Sequence, residues 1–237
     1  MIKIKKIYTP NNIEELIDIL SHEEKVYFLS GGTDLLIRAK DDLLEERCWI
    51  ETCKLSDLKN IYVENDNIYI GSLCTHSDLI NSEIIKTNIA GLQYAVSTIG
   101  SVQMRNMATI GGNIANASPA GDSIPMLMVL DTKITTLFEC KIYNYDIINF
   151  FTGPGKSQLK SKEFILKISI PITQGYTQKF YKLGQREGIA ISKINLAVNY
   201  KIEDSIISDI KISLGAVAPT VVRARKTEEF LINTDFH

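Results

Sequence analysis

The sequence predicts an α+β protein, with a larger N-terminal part and a smaller C-terminal domain on an antiparallel sheet. Three observations carry this. Hydrophobic periodicity alternates between strand-like and helix-like from the N-terminus to Pro171. A turn-rich break, Thr173-Gln174-Gly175, is followed by three further β-like runs. Two Gly-Gly pairs, in Ser30-Gly31-Gly32-Thr33-Asp34 and Thr109-Ile110-Gly111-Gly112-Asn113, each lie beside a small hydroxyl residue and before an Asp.

The elements follow in order. Ile2 to Tyr8 alternates like a strand, and Pro10-Asn11-Asn12 marks a turn and a helix start. Ile13, Leu16, Ile17 and Leu20 recur at i, i+3, i+4 and i+7, an amphipathic helix. Val26 to Leu29 is a short apolar strand feeding the first Gly-Gly pair, and Leu35, Leu36 and Ile37 leave it. Ile61 to Val63 and Ile68 to Ile70 flank Glu64-Asn65-Asp66-Asn67, a hairpin. Ile85, Ile89, Leu92 and Val96 share one helical face, and Met126 to Leu130 is an apolar helical segment. Lys133 to Phe138 is β-like, Phe150 to Gly155 a tight turn, and Phe164 to Ile170 a strand stopped by Pro171. Beyond the break, Lys179 to Leu183, Ile194 to Tyr200 and Ile210 to Val217 supply the smaller antiparallel sheet. No internal repeat and no low-complexity tract is present.

Composition narrows the function classes. The 237 residues are 45% hydrophobic, enough for one large or two small cores. A net charge of −2 leaves no basic excess to hold nucleic acid or an anionic membrane. No apolar run approaches the roughly 20 residues that span a bilayer. The N-terminal stretch lacks the apolar core of a signal peptide, so a cytoplasmic location is expected. Cys48, Cys53, Cys74 and Cys140 form no C-x-x-C pair and fit thiols in a reducing compartment. His22, His76 and His237 are scattered and read as surface or core residues rather than metal ligands.

Glycine has no Cβ, so a Gly pair lets the chain aim successive N–H groups at an anion. One pair alone is usually a turn. The second pair, however, runs into Asn113 to Asp122, rich in small residues, Asn, Ser and Pro, between two apolar segments. Such a run packs little and presents backbone and hydroxyl groups to a ligand. No Gly-Lys-Ser/Thr follows either pair and no G-x-G-x-x-G fingerprint exists, which argues against P-loop and Rossmann sites. The pattern reads as a pyrophosphate-bearing cofactor held by two backbone loops. Asp34 and Asp122 make no convincing acid/base pair; each follows its loop, where a carboxylate caps N–H groups or holds a ligand hydroxyl. Ser118 has no nearby His, and Lys182, Arg186 and Glu187 read on their own as a solvated charged face.

Together these residues resemble the FAD-binding medium subunit of molybdenum hydroxylases, such as xanthine dehydrogenase and carbon monoxide dehydrogenase. Ser30 to Leu36 resembles the family's first FAD loop, and Arg105 to Ala115 its second and most specific one. Ala117-Ser118-Pro119-Ala120-Gly121-Asp122 continues the second loop. Phe150 to Lys156 and Glu163 to Pro171 resemble the stretch closing the FAD domain. Tyr181 to Arg186, Ile194 to Val198, and Leu214 to Thr220 with Arg223 and Ala224 resemble the family's C-terminal flavoprotein domain.

The resemblance implies a two-subdomain FAD-binding fold of the vanillyl-alcohol-oxidase (PCMH) type over 1–172, with subdomains about 1–53 and 54–172, and a C-terminal domain over 176–237. It implies non-covalent FAD held by Leu29, Ser30, Gly31, Gly32, Thr33, Asp34 and Leu35 of the first loop. Thr109, Ile110, Gly111, Gly112 and Asn113 of the second loop join them, with Ser118 and Asp122 after it. The glycines and Thr33 would give N–H and hydroxyl donors to the pyrophosphate, and Asp122 would hold a polar part of FAD. Ile99 matches a position near the flavin that is aromatic in some relatives, Ile165 falls at or beside a flavin contact, and Lys182 matches a FAD-contacting lysine.

No catalytic side chain and no metal ligand is implied on this chain. Its partners would be a molybdenum-binding large subunit with molybdopterin and a small subunit with 2Fe-2S clusters, with NAD or another acceptor taking the electrons. A stand-alone flavin oxidoreductase of the same fold, or a non-catalytic assembly module, are the alternatives. The family's C-terminal domain continues several tens of residues past its Ala-Pro-Thr motif, so a shortened form is expected here. No Cys-rich insertion lies between Asp122 and Glu163, which speaks against the extra iron–sulfur cluster of 4-hydroxybenzoyl-CoA reductases.

Overall fold

The computed structural model describes residues 3–186 and 188–236. The chain opens with β1 (Ile4–Tyr8), α1 (Ile13–His22), β2 (Val26–Leu29), α2 (Leu35–Lys40) and β3 (Arg47–Glu51). Of the strand expected from Ile2, Met1 and Ile2 lie outside the described residues. The three strands form a parallel sheet in the order β1-β3-β2. Parallel neighbours need a crossover, and the two helices provide them. Asn12 starts α1 by accepting the Glu15 N–H at 2.8 Å, and Leu16 carries its apolar face into the core. β3, not singled out in the sequence, is the central strand, with Cys48, Trp49 and Ile50 all buried. A central parallel strand is covered on both faces, so it shows no alternation to read.

Next come β4 (Ile61–Glu64) and β5 (Asn67–Gly71), the expected hairpin. Six helices follow: α3 (His76–Asn81), α4 (Glu83–Asn88), α5 (Ala90–Ser97), α6 (Val102–Met107), α7 (Ile110–Asn116) and α8 (Ser123–Val129). Then come β6 (Lys133–Phe138), β7 (Lys141–Asp146), α9 (Ile147–Phe150), β8 (Phe151–Gly153), β9 (Lys156–Ser157) and β10 (Phe164–Pro171). The strands other than β8 and β9 build an antiparallel sheet ordered β4-β5-β10-β6-β7. Its Ile68, Ile70, Ile134, Ile168 and Ile170 pack with Leu79, Ile85, Leu92, Ile110, Ile114 and Met126 from the helices in one core. Burial of such side chains is the main favourable term holding the layers together, at about 1.5–3 kcal/mol each.

Two expectations are corrected here. Ile85, Ile89, Leu92 and Val96 are all buried but do not lie on one helix; the chain breaks at Ile89, with φ −138° and ψ 51°. The cause is distant in sequence. The Gln178 side chain donates to the Asn88 carbonyl at 3.1 Å and accepts the Gly91 N–H at 3.1 Å, satisfying the ends of α4 and α5. The second Gly-Gly pair is likewise not a loop. Gly111 and Gly112 lie in the first turn of α7, because the Thr109 hydroxyl caps it by accepting the Gly112 N–H at 3.1 Å. The expected tight turn at Phe150 to Gly155 is the end of α9 and the β8–β9 hairpin.

The last part holds β11 (Tyr176–Gly184), β12 (Ser192–Glu203), β13 (Ile206–Gly215), β14 (Val222–Arg223) and α10 (Arg225–Leu231). The strands form a second antiparallel sheet in that order. α8 packs onto β12 and β13. Phe180 and Ala197 of this sheet, and Val221 just before β14, join the same core as the helices. The Ala216 N–H donates to the Pro119 carbonyl at 2.8 Å, and Asn199 donates to the Val129 carbonyl at 3.2 Å. No helix among the described residues is long and apolar enough to cross a membrane.

Candidate functional site

Both Gly-Gly segments border one cleft of about 580 Å³, between the parallel sheet and the helices of the second sheet. β2 delivers the first segment to it. Gly31 lies so close to the end of α6 that a Cβ there would sit 1.9 Å from the Met107 carbonyl oxygen. Only glycine permits that approach. Gly32 follows at φ +68°, a left-handed conformation that turns the chain toward α2. Among the described residues, the backbone N–H groups of Gly31, Gly32, Thr33 and Asp34 have no hydrogen-bond partner within the protein. Successive free N–H groups in a turn form an anion-binding concavity. Ser30 accepts a hydrogen bond from Thr52 at 3.0 Å, which leaves its own O–H available as a donor.

The second segment shapes the cleft differently. The N–H of Ile110 bonds to the Cys74 carbonyl, that of Gly111 to the Ser72 carbonyl, and that of Asn113 to the Thr109 carbonyl, each at 2.9 Å. With Gly112 bonded to Thr109, these N–H groups are spent within the protein. The donor role expected of Gly111 and Gly112 is therefore not available to them while Thr109 caps the helix. Thr109, Gly112 and Asn113 line the cleft, whereas Ile110 and Gly111 are buried beneath it.

The remaining expected residues divide. Asp34 and Leu35 line the cleft at the start of α2, and Leu29 packs beside it with Trp49. Ile99 lines it too, held by Arg105, which donates to the Ile99 and Gly100 carbonyls at 2.9 and 3.0 Å. Ile165 lies in the main core. Ser118 lies in the turn after α7, where its carbonyl accepts the Gly121 N–H at 3.0 Å. Asp122 and Lys182 meet each other at 2.6 Å and are not among the residues lining the cleft. Asp122 also accepts from Ser192 at 2.5 Å and Asn195 at 2.9 Å, and Lys182 donates to the Thr98 carbonyl at 3.0 Å. Asp122 caps no N–H of α8; it joins that helix to the last sheet. Arg186 donates to the nearby Ile189 carbonyl at 3.0 Å, and Glu187 lies outside the described residues.

The cleft also contains residues that sequence reasoning missed. Arg38, Arg47, Lys160 and Lys162 bring four cations to its walls, against the carboxylates of Asp34 and Glu163. Arg47 is anchored with its guanidinium carbon 4.7 Å from the centre of the Tyr27 ring. Glu163 is buried and accepts from Thr136 at 2.5 Å, Tyr145 at 2.9 Å and the Lys160 N–H at 2.9 Å, which fixes the 160–163 wall. Burial and this carboxylate push the Tyr145 hydroxyl up to about 12. His76 is fully buried at the edge of the cleft, and burial, helped by the Arg105 charge, pushes its pKa down to about 4. No sequence spacing links these groups, because they arrive from separate elements. Among the described residues no cluster of His, Cys, Asp and Glu could hold a metal ion.

Residues 2–173 match the family of the FAD binding domain in molybdopterin dehydrogenase. The chain belongs to this family. Residues 179–237 match the CO dehydrogenase flavoprotein C-terminal domain. The chain is 29% identical to the nicotinate dehydrogenase FAD-subunit of Eubacterium barkeri, over 96% of this chain and 79% of that protein. It is 28% identical to the glyceraldehyde dehydrogenase medium chain of Sulfolobus acidocaldarius, over 93% and 78% of the two. The solved carbon monoxide dehydrogenase of Hydrogenophaga pseudoflava, lacking the Mo-pyranopterin moiety of the molybdenum cofactor, superposes with a TM-score of 0.93 at 26% identity, covering 98% of this chain and 81% of that one. The chain is thus a flavoprotein subunit of the molybdenum hydroxylase family, with an FAD-binding domain and a small C-terminal domain.

Proposed function

We propose that this chain holds FAD in the cleft and relays electrons from iron–sulfur clusters on a small subunit to NAD or another acceptor. Substrate oxidation then belongs to a molybdenum-bearing large subunit. The observation that carries this reading is the run of unpartnered N–H groups at Gly31 to Asp34, facing a cationic cleft in a chain of this family. The fit is chemical: a diphosphate needs several donors and positive charge in one concavity, and both are present. Bound FAD supplies the redox chemistry. The protein's part is to bind, orient and exclude water. Gly31 to Asp34 hold the diphosphate, with Arg38 adding charge, and Ile99, pinned by Arg105, forms an apolar wall. Asp122 and Lys182 sit behind the wall and tie the last sheet to α8 and the Thr98 turn.

A cytoplasmic location belongs to the same reading and is supported by four free cysteines. The test is made on purified protein: the visible spectrum is recorded, the protein denatured, and the released flavin identified by chromatography. Non-covalent FAD near one per chain, reducible by NADH, is the expected result. No flavin after incubation with FAD overturns the reading. FAD that stays oxidised with NADH but reduces with another donor moves the acceptor away from NAD.

A further inference from the structure

We propose that the chain carries a second binding site, apart from the cleft, for a small monocarboxylate with an aliphatic tail. The assignment does not rest on the FAD reading. A cavity of about 360 Å³ lies between the C-terminal half of α1 and the turn joining β6 to β7. That volume falls in the range of small-molecule sites. Ile17 and Leu20 line it from α1, and Leu137 and Phe138 from the end of β6. Of the residues lining it, Lys162 also lines the cleft, so the two cavities are neighbours across the 160–163 wall.

Lys162 decides the chemistry. Its ammonium donates to the Leu20 carbonyl at 2.9 Å, and Leu20 lines this cavity and not the cleft. The charge therefore stands on the α1 side of the wall. The bond caps the last turn of α1 and uses one of the three donors of a lysine. Among the described residues the ammonium has no carboxylate partner. A second cation is close by, since the Lys160 ammonium lies 4.6 Å from the centre of the Phe138 ring. The Ser21 hydroxyl, also in the lining, is spent on the Asp18 carbonyl at 2.6 Å. Glu139, on the exposed turn, is the carboxylate of the lining. Apolar walls, a cation with donors to spare and one carboxylate at the rim favour a single negative charge on an apolar tail. A dicarboxylate or phosphate ester sets further charge against Glu139, and a fatty amine meets the two lysines.

Cys140 gives the readout. It is exposed and lines the cavity, whereas Cys53 is exposed and does not, which makes Cys53 the internal control. The full chain is alkylated with iodoacetamide and the modification of each cysteine followed by mass spectrometry. Octanoate, succinate and octylamine are compared as probes, each up to the micelle threshold of octanoate. Octanoate is expected to slow alkylation of Cys140 severalfold at saturation and to leave Cys53 unchanged, while succinate and octylamine slow neither. Lys162→Met, which keeps the length and loses the charge, is expected to weaken octanoate roughly tenfold, the cost of a charge-assisted hydrogen bond. Lys162→Arg is expected to keep most of the affinity. The comparison of probes is made on the wild type, so it holds whatever the folding of the variants. A Cys140 rate indifferent to octanoate, equal protection of Cys53, equal protection by octylamine, or undiminished octanoate binding in folded Lys162→Met would each overturn the site.

Discussion

At the scale of single residues, the site depends on atoms that are absent as much as on those present. Gly31 brings the first loop against the Met107 carbonyl, and one methyl group there would force the two apart by more than 1 Å, a displacement of about the difference between 1.9 Å and an ordinary contact. Gly31→Ala is expected to leave a folded protein that purifies without flavin, with FAD affinity down at least a hundredfold, as read by released flavin and by titration. Flavin content equal to wild type would show that the loops tolerate separation. The cysteines divide by the same kind of local reasoning. Cys74 is buried, and desolvation pushes its thiol up to about 12; Cys48 is buried as well and its pKa is raised, chiefly by burial. Cys53 and Cys140 are exposed. A thiolate is the reactive form, so an Ellman titration of the native protein should find two fast thiols and reach four only in denaturant. Four fast thiols in the native state would contradict the burial of Cys48 and Cys74.

At the scale of elements, local signals were legible and long-range ones were not. Val26 to Leu29, the Asn12 cap and the hairpin at Glu64 to Asn67 are set by neighbouring residues, and each forms where the sequence places it. The break at Ile89 is set by Gln178, whose two hydrogen bonds reach back from β11, so no window around Ile89 contains its cause. The Gly111-Gly112 pair looked like a loop because glycine is a poor helix former, yet the Thr109 cap and the bonds to Ser72 and Cys74 hold it helical. The Asp122–Lys182 pair is another such long-range tie. Both side chains are nearly buried, at 7% and 13% exposure, and join α8 to β11. Lys182→Met leaves Asp122 with Ser192 and Asn195 but without its counter-charge. Breaking a buried pair on one side is costly, so a loss of about 3 kcal/mol in urea unfolding is expected. Adding Asp122→Asn should recover part of it, since no charge is then left unpaired. A single variant as stable as wild type would mean the pair is better solvated than its burial implies.

At the scale of the molecule, the parallel sheet and the helices over the five-stranded sheet border one cleft, and the core behind those helices runs from β5 to Phe180 and Ala197 of the last sheet. His76 reads in the sequence as a surface or core residue, with nothing to choose between them, because only the fold buries it beside the cleft. Its titration gives a global prediction. In the unfolded chain its pKa is near 6.5, and in the folded one burial holds it at about 4. Between these values the unfolded state binds a proton that the folded state refuses, so stability rises with pH through that window. It is fully present above 6.5 and is lost as pH falls toward 4, by roughly 3 kcal/mol for a group this buried. The exposed carboxylates whose pKa is lowered, Glu15, Glu45 and Glu203 among them, act only below the ordinary 4.5 of a glutamate, which leaves the upper part of the window to histidine. Urea unfolding followed from pH 7 to 4.5 should show the wild type losing stability where His76→Gln loses much less. Parallel curves for the two proteins would mean that His76 does not stay neutral in the fold, and that the cleft floor admits the water or counter-charge needed to protonate it.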